Sequence, residues 1–438
     1  MKGQIRNIYP GGNTSKGFYS YYSYILPQKK AKKIICIKGG PGTGKSTMMK
    51  RIGTYFAEQG EPVDFMWCSS DPDSLDGIVL RKRKIALLDG TAPHIVDPVN
   101  PGAVDEIVNL GQFWDEEAIR PYREQIMQCD AAIKQNYKMT YHYLNIAGQK
   151  NQMLRDLYMA GYGTWMPDGK PLKKESRRTL PQEQVPGEEA EYEAVQEREQ
   201  QTSLQADGKA GVSAGGKGIL RDLRDELKMR LRSFTAIKRA LNKRSREFAL
   251  GVDTRYGEVQ KYFAGAITPK GMLHGLDSLT ASLRQVIVLE SPTGFPSEQI
   301  LQPCAEWLQE MGFDLELYYC PLDPEHKLEH IVIPEPGIGI ITENSYHSCS
   351  IQEKTAKRMH LHGAACFDDR FDTARQLFET LEQEQHENLE RAQMFLKRAK
   401  LLHDDLEQCY VPAMDFSLLE QETQRLIDEI RSIGKAGK

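Results

Sequence analysis

The sequence predicts an α/β protein made of two similar halves with long helical extensions. A glycine-rich loop lies between an apolar strand pattern and a helix pattern, and a weaker copy of this arrangement recurs in the second half of the chain. Long stretches of helical spacing lie between and after the two copies. We therefore expect two P-loop NTPase-like, three-layer αβα domains in tandem, the second one degenerate.

Length, charge and cysteine usage limit the function classes. The 438 residues exceed what one hydrophobic core usually holds, so at least two domains are expected. The net charge of −4 gives no electrostatic reason to expect nucleic acid as the main partner. The eight cysteines form no CxxC pair, which favours reduced thiols. Without an apolar signal core or a membrane-spanning run, we expect a cytoplasmic protein with no membrane insertion.

The most specific motif follows the apolar run 34–37. It fits the phosphate-binding pattern GxxxxGK[ST] and consists of Gly39, Gly40, Pro41, Gly42, Thr43, Gly44, Lys45, Ser46 and Thr47. Its glycines allow backbone N–H groups to turn towards a polyphosphate. Lys45 can then reach the β- and γ-phosphates, and Ser46 can supply a hydroxyl to Mg²⁺. We predict ATP and Mg²⁺ as the ligands.

Acidic residues downstream complete the predicted site. Asp89 ends the apolar run 85–88, which is the pattern of the strand that carries the Mg²⁺-organising aspartate in phosphate-loop NTPases. No glutamate follows Asp89, so Asp71 and Asp73 are the candidates for orienting a water molecule or accepting a hydroxyl proton. Ordinary turn chemistry explains Asp71 and Asp73 equally well. The catalytic candidates are Lys45, Asp71 and Asp89, and the metal candidates are Ser46 and Asp89.

Two other groups upstream and downstream of the loop have alternative explanations. The aromatic run 19–26 could stack on a base, but core or surface packing would also account for it. His94, Asp97 and Asp105 match no standard metal-ligand spacing, which favours a structural histidine.

Composition divides the chain into six segments. Residues 163–218 are rich in proline, glycine and acidic side chains and are predicted to be a flexible linker. The basic helix after this linker favours a solvated face, with contact to nucleic acid or an anionic surface as the alternative. The predicted segments are a P-loop domain (1–115), a helical arm (116–162), the linker (163–218), a basic helical segment (219–262), a degenerate domain (263–365) and a C-terminal helical hairpin (366–438).

When the sequence is shifted against itself, the two halves align without a gap. The alignment runs from the first strand of each half to beyond the second strand. Gly42, Cys68 and Asp71 fall on Gly294, Cys320 and Asp323. Ser297 and Glu298 stand where Lys45 and Ser46 do, and the later strand ends in Thr342 instead of an aspartate. We expect the second half to keep the fold without binding a nucleoside triphosphate. Residues 358, 360 and 362, which are Arg, His and His, are candidates to serve the first site from the second half.

The motifs together resemble a family. They are the turn 14–17, the loop 39–47, the segment 71–76 and the segment 89–94. With them the chain resembles the uncharacterised tandem-repeat phosphate-loop ATP-binding proteins of Gram-positive bacteria, including spore-formers. The resemblance covers most of the chain apart from the linker, and it implies ATP binding without indicating a substrate.

Three functions fit these observations. The first is a Mg²⁺-dependent ATPase with a single site in the first half. The second is a kinase for a small-molecule acceptor, which the second half or the helical arms would cover. The third is a non-catalytic, ATP-loaded module that binds a protein partner through its helical arms.

Overall fold

The computed structural model describes residues 2–91, 96–159, 218–234, 256–351, 356–361 and 372–433. Nearly all of the predicted linker, together with His94 and His362, lies outside these residues.

The first half is built around a six-stranded sheet. Its strand order is β1-β5-β6-β7-β4-β8, and the strands are β1 (Ile5–Ile8), β4 (Lys33–Lys38), β5 (Val63–Trp67), β6 (Leu75–Leu80), β7 (Ile85–Asp89) and β8 (Asp105–Asn109). Only β6 runs antiparallel to its neighbours. A separate hairpin consists of β2 (Gly11–Thr14) and β3 (Gly17–Ser20).

The second half contains a sheet with the same strand order and directions. Its order is β9-β13-β14-β15-β12-β16, and the strands are β9 (Val259–Tyr262), β12 (Gln285–Glu290), β13 (Leu315–Cys320), β14 (Asp323–Ile333), β15 (Ile338–Glu343) and β16 (Ala356–His360). Only β14 runs antiparallel to its neighbours. A hairpin of β10 (Gly265–Thr268) and β11 (Gly271–His274) lies between β9 and β12 in the chain, as β2 and β3 lie between β1 and β4 in the first half. The predicted α/β class is confirmed.

One predicted boundary is wrong. The basic helical segment was expected to extend to residue 262, but residues 259–262 form β9, which pairs in parallel with β13. The pairing provides hydrogen-bond partners for the backbone N–H and C=O groups of this segment. The segment is too short for its sequence pattern to distinguish a strand from the end of a helix.

The helices cover the sheets and form two long arms. They are α1 (Lys45–Glu58), α2 (Glu116–Ile119), α3 (Arg123–Met159), α4 (218–234), α5 (Leu276–Thr280), α6 (Glu298–Glu310), α7 (Asp372–Tyr410) and α8 (Phe416–Ile433). The apolar face of α1 is buried on the first sheet, as its spacing predicts, through Met48, Met49, Ile52 and Phe56. The arms α3 and α7 pack along each other. Among the described helices, none is long and apolar enough to cross a membrane.

Each arm is followed by a helix that packs on the other half. Helix α8 follows the second arm, yet it buries Leu426 and Ile430 in the core of the first sheet. Helix α4 follows the first arm in the chain, yet it buries Leu223 and Leu227 in the core of the second sheet. The C-terminal helices therefore do not form a unit of their own.

The two halves join at the ends of β1 and β9. The N–H of Tyr9 donates to the carbonyl of Phe263 at 3.1 Å, and the N–H of Phe263 donates back to Tyr9 at 2.9 Å. Tyr21, from the aromatic run, is buried against Phe263 and Tyr319. Core packing therefore accounts for Tyr21 without a bound base.

Candidate functional site

The glycine-rich loop connects β4 to α1 and needs its glycines. Gly42 and Gly44 have φ angles of 69° and 78°, in the left-handed region that side chains disfavour. A Cβ atom on Gly44 would also lie 2.6 Å from a methyl group of Leu419 in α8. The backbone conformation and the close approach of α8 thus both require glycine at this position.

The N-terminus of α1 is open to a ligand. Gly44 is its N-cap residue, and no side chain caps the helix. The first N–H groups of a helix have no intrahelical partner, and the helix dipole places positive charge there. Lys45, Ser46 and Thr47 all line a large cavity at this point. The arrangement is suited to bind a phosphate group.

Lys45 lies folded over the loop. Its Nζ donates to the carbonyls of Gly39 and Gly40 at 2.6 and 2.9 Å. The same Nζ is 3.7 Å from Oδ2 of Asp89, and the two side chains are only 12% and 14% exposed. The structure therefore brings together the lysine and the strand-end aspartate that the sequence predicts for one site.

Ser46 and Asp89 retain free oxygen capacity for a cation. The Ser46 hydroxyl accepts the N–H of Leu75 at 3.0 Å, which leaves it a second lone pair. Oδ1 of Asp89 accepts the N–H of Thr91 at 2.8 Å, while Oδ2 faces Lys45. Mg²⁺ prefers such hard oxygen ligands, so the two residues fit the predicted metal role.

Asp71 faces the cavity and also stabilises its own turn. Its carboxylate accepts the hydroxyl of Ser74 at 2.7 Å and lies 3.3 Å from Nζ of Lys400 in α7. Asp73 accepts two hydrogen bonds of 2.7 Å from Lys270 on the surface, and these lower its pKa. Asp71 is therefore the better placed of the two for chemistry.

The cavity above the loop has a volume of about 1410 Å³ and extends between the two arms. Sequence reasoning did not connect the arm residues with the loop, because they lie far from it along the chain. They are Lys134 and Lys138 on α3 and Lys400, His403 and Glu407 on α7. Oε1 of Glu407 accepts the N–H of Gly42 at 3.2 Å. The only sequence signal for the α7 residues is that their spacing places them on one helix face.

The corresponding loop of the second half is filled by protein. Gly294 keeps a left-handed φ of 72°, and α3 covers it through Leu154. Arg155 lies 2.7 Å from Glu298, which stands at the position of Ser46, and it also pairs with Asp323. Burial lowers the pKa of Arg155, but the two carboxylates outweigh this effect and the pKa is raised. A largely buried ion pair therefore lies at the position that corresponds to Ser46 of the first loop.

The remaining sequence candidates make other contacts. Asp97 pairs with Lys38 at 2.9 Å, and Asp105 accepts the N–H of Val99 at 2.8 Å. Arg358 lies on β16 and pairs with Glu290 and Glu343 at 2.7 and 2.6 Å. His360 also pairs with Glu290. The structure does not bring Arg358 or His360 to the cavity beside the loop.

Comparison of the chain with protein-family models, with curated proteins and with solved structures found no match. An assignment of function therefore rests on the loop and its surroundings.

Proposed function

We propose that this chain binds one Mg²⁺·ATP at the loop 39–47 and hydrolyses it. The second half is a degenerate copy of the first, and the chain belongs with the tandem-repeat phosphate-loop proteins that it resembles. The equal order and directions of the strands in the two sheets support this duplication.

The contrast between the two loops carries the proposal. In the first half, the uncapped N-terminus of α1 opens on a cavity of about 1410 Å³ and Lys45 lies beside it. In the second half, Arg155 and Glu298 fill the same place. Lys45 has only loop carbonyls as hydrogen-bond acceptors among the described residues, and a polyphosphate would offer it stronger, charged ones.

Each candidate has a defined role in this reaction. Lys45 and the loop N–H groups stabilise the negative charge of the transferring phosphoryl group. Ser46 and Asp89 hold Mg²⁺. Asp71 orients a water molecule for attack on the γ-phosphorus and accepts its proton. The bond between the γ-phosphorus and the β,γ-bridging oxygen breaks, and ADP and phosphate leave.

Calorimetry with ATP and Mg²⁺ tests the proposal. We expect one site per chain, and Lys45→Ala should lose both binding and phosphate release. Lys82→Ala is the matched control, because Lys82 is an exposed lysine of the first half outside the cavity. Absence of ATP binding, or equal behaviour of Lys45→Ala and wild type, would refute the nucleotide site.

The size of the cavity favours the kinase as a second candidate. Ligand pockets commonly measure about 300–1,000 Å³, so 1410 Å³ leaves room for an acceptor beside the nucleotide. Lys134, Lys138 and Lys400 line this space and suit an anionic acceptor. A phosphorylated product in a metabolite screen would support the kinase, whereas ADP release that is independent of any acceptor would favour the ATPase.

The contact between Glu407 and Gly42 favours the non-catalytic module as a third candidate. A phosphate that takes the N–H of Gly42 must displace Glu407, so nucleotide binding would act directly on α7. Tight ATP binding without turnover over hours, together with ATP-dependent capture of a partner, would favour this function over the other two.

A further inference from the structure

Asp76 is a third acidic residue beside the nucleotide loop, in addition to Asp71 and Asp89. It belongs to β6, is 3% exposed and lines the same cavity as Lys45 and Ser46. Carboxylates are rarely so deeply buried unless a cation or several hydrogen-bond donors compensate for the loss of water. The depth of Asp76 in the fold therefore favours a positively charged ligand on its cavity side.

The strand register places Asp76 next to the predicted metal ligands. Gly77 of β6 pairs with Leu88 of the antiparallel strand β7. In this register Asp76 and Asp89 are neighbours at the ends of their strands. The residue before Asp76 donates its N–H to the hydroxyl of Ser46 at 3.0 Å, which holds the start of β6 against the loop. The two carboxylates and the hydroxyl all line the cavity.

Two neutral groups lie beside the carboxylate of Asp76. They are the hydroxyl of Tyr22 and the thiol of Cys68, and both residues are buried. Burial raises the pKa of Tyr22 and of Cys68 well above their ordinary values, and the charge of Asp76 raises both further. Both groups therefore keep their protons at pH 7 and can orient the carboxylate, but they supply no positive charge.

The second half contains a carboxylate at the same position. Strands β14 and β15 pair in the register of β6 and β7, with Thr342 at the position of Asp89. In that register Glu329 is the neighbour of Thr342, as Asp76 is the neighbour of Asp89. Glu329 is therefore the structural counterpart of Asp76, and its surroundings show how the fold compensates for a carboxylate there.

A buried lysine compensates for the charge of Glu329. Nζ of Lys327 is 3.4 Å from Oε1 of Glu329, and Lys327 is 4% exposed. Burial lowers the pKa of Lys327, but the acidic groups around it, Glu329 and Glu298 among them, outweigh this effect and raise the pKa. Glu298 stands at the position of Ser46. The second half thus carries its own cation beside the positions that correspond to Asp76 and Ser46.

We propose that Asp76 holds the Mg²⁺ of the bound nucleotide together with Ser46 and Asp89. Ser74 stands two residues before Asp76, where the second half has Lys327, so the first half has no lysine at that position. Mg²⁺ is commonly held through one or two carboxylates and the phosphates of its substrate. This inference rests on the proposed function, because it concerns the metal ion of the same nucleotide.

ATP binding with and without Mg²⁺ tests this role. Calorimetry on the full chain compares ATP in EDTA with ATP in excess Mg²⁺, and we expect Mg²⁺ to tighten binding by the wild type. Asp76→Asn should weaken binding of Mg²⁺·ATP by about 10- to 100-fold. The same variant should bind metal-free ATP at least as tightly as the wild type, because a negative charge near the triphosphate is removed. Asp76→Ala is a second variant with the same expected signs, in case the asparagine does not fit its buried position.

Asp105→Asn is the matched control. Asp105 is a carboxylate of the same sheet that is 4% exposed, but it pairs with Ile34 near the start of β4, whereas the loop follows the end of this strand. It lies outside the cavity, so the variant should keep the wild-type response to Mg²⁺.

Three outcomes would overturn the role of Asp76. Weaker binding of both forms of ATP by Asp76→Asn and Asp76→Ala would indicate a structural residue. An equal response to Mg²⁺ by the wild type and these variants would remove Asp76 from the metal site and leave the nucleotide site intact. Absence of ATP binding by the wild type would refute the proposed function, and the role of Asp76 with it.

Discussion

The carboxylate of Glu407 accepts a hydrogen bond from the backbone N–H of Gly42 at 3.2 Å. The two residues come from opposite ends of the chain. A carboxylate therefore occupies one of the loop N–H groups that a phosphate would use. Under the proposed function, the second arm and a bound nucleotide would compete for this donor.

This competition predicts the effect of Glu407→Gln. Removal of the negative charge should strengthen ATP binding by about tenfold, or about 1.4 kcal/mol, because the loop no longer exchanges one anion for another. Calorimetry with ATP and Mg²⁺ gives the dissociation constant. Glu387→Gln is the matched control on the same helix, since Glu387 pairs only with residues of its own helix among its described contacts. Weaker binding by Glu407→Gln would show instead that Glu407 contributes to holding the nucleotide.

The join between the halves contains a buried ion-pair network. Arg6 of β1 donates to Asp64 of its own sheet at 2.7 and 2.8 Å and to Glu316 of the other sheet at 2.8 and 3.0 Å. All three side chains are no more than 6% exposed. Burial lowers the pKa of Arg6, but the two carboxylates outweigh it and raise the pKa well above its ordinary value.

Arg6→Met should therefore destabilise the fold strongly. It leaves Glu316 buried with only the hydroxyl of Tyr318 and Asp64 with only Arg81 among their described partners, and we expect a loss of about 3–5 kcal/mol. Lys30→Ala is the control, because Lys30 and Glu258 also link the two halves but are 41% and 58% exposed. Surface pairs contribute only about 0–1 kcal/mol. Urea unfolding measures both variants, and similar losses for the two would contradict the importance of burial at this join.

The loop geometry predicts a difference between two glycine substitutions. Gly44 and Gly102 have nearly the same φ, 78° and 77°. A Cβ atom on Gly44 would lie 2.6 Å from Leu419, whereas one on Gly102 would have nothing within 4 Å. Gly102→Ala should cost about 1–2 kcal/mol from backbone strain alone. Gly44→Ala should cost more and should abolish ATP binding, as thermal unfolding and calorimetry would show.

Equal stability losses for the two glycine variants would mean that α8 does not pack tightly on the loop. Unchanged ATP binding by Gly44→Ala would mean that the loop tolerates another conformation.

The ion pair of the second loop should act on stability and not on nucleotide binding. Arg155→Met leaves Glu298 largely buried without its cation and Asp323 with only the exposed His326, and we expect a loss near the lower end of about 3–5 kcal/mol. ATP affinity should remain at the wild-type value, because Arg155 does not line the first cavity. Arg120→Met, which breaks an exposed pair, should change neither quantity by more than about 1 kcal/mol. Weaker ATP binding by Arg155→Met would indicate a nucleotide site in the second half.

Local pattern was sufficient to predict the α/β class and the first-half loop. The strand 34–37, the glycines and the apolar face of α1 are adjacent in the chain, so their spacing defines a strand, a turn and a helix. The neighbouring positions of Lys45 and Asp89 were also predictable, because adjacent parallel strands bring their carboxyl ends to one edge of a sheet.

Packing decided which residues surround that loop and which half each terminal helix stabilises. The periodicity of α7 and α8 predicts two amphipathic helices, but an apolar face can be buried on any complementary surface. Only the tertiary structure shows that α8 packs on the first sheet and that Glu407 reaches Gly42. The sequence by itself therefore determined the strand, the loop and the helix that follows it, since all three depend on neighbouring residues. The tertiary structure decided which side chains face the loop. Hydrophobic burial is not directional, so the apolar spacing of a helix does not specify the surface on which that helix packs.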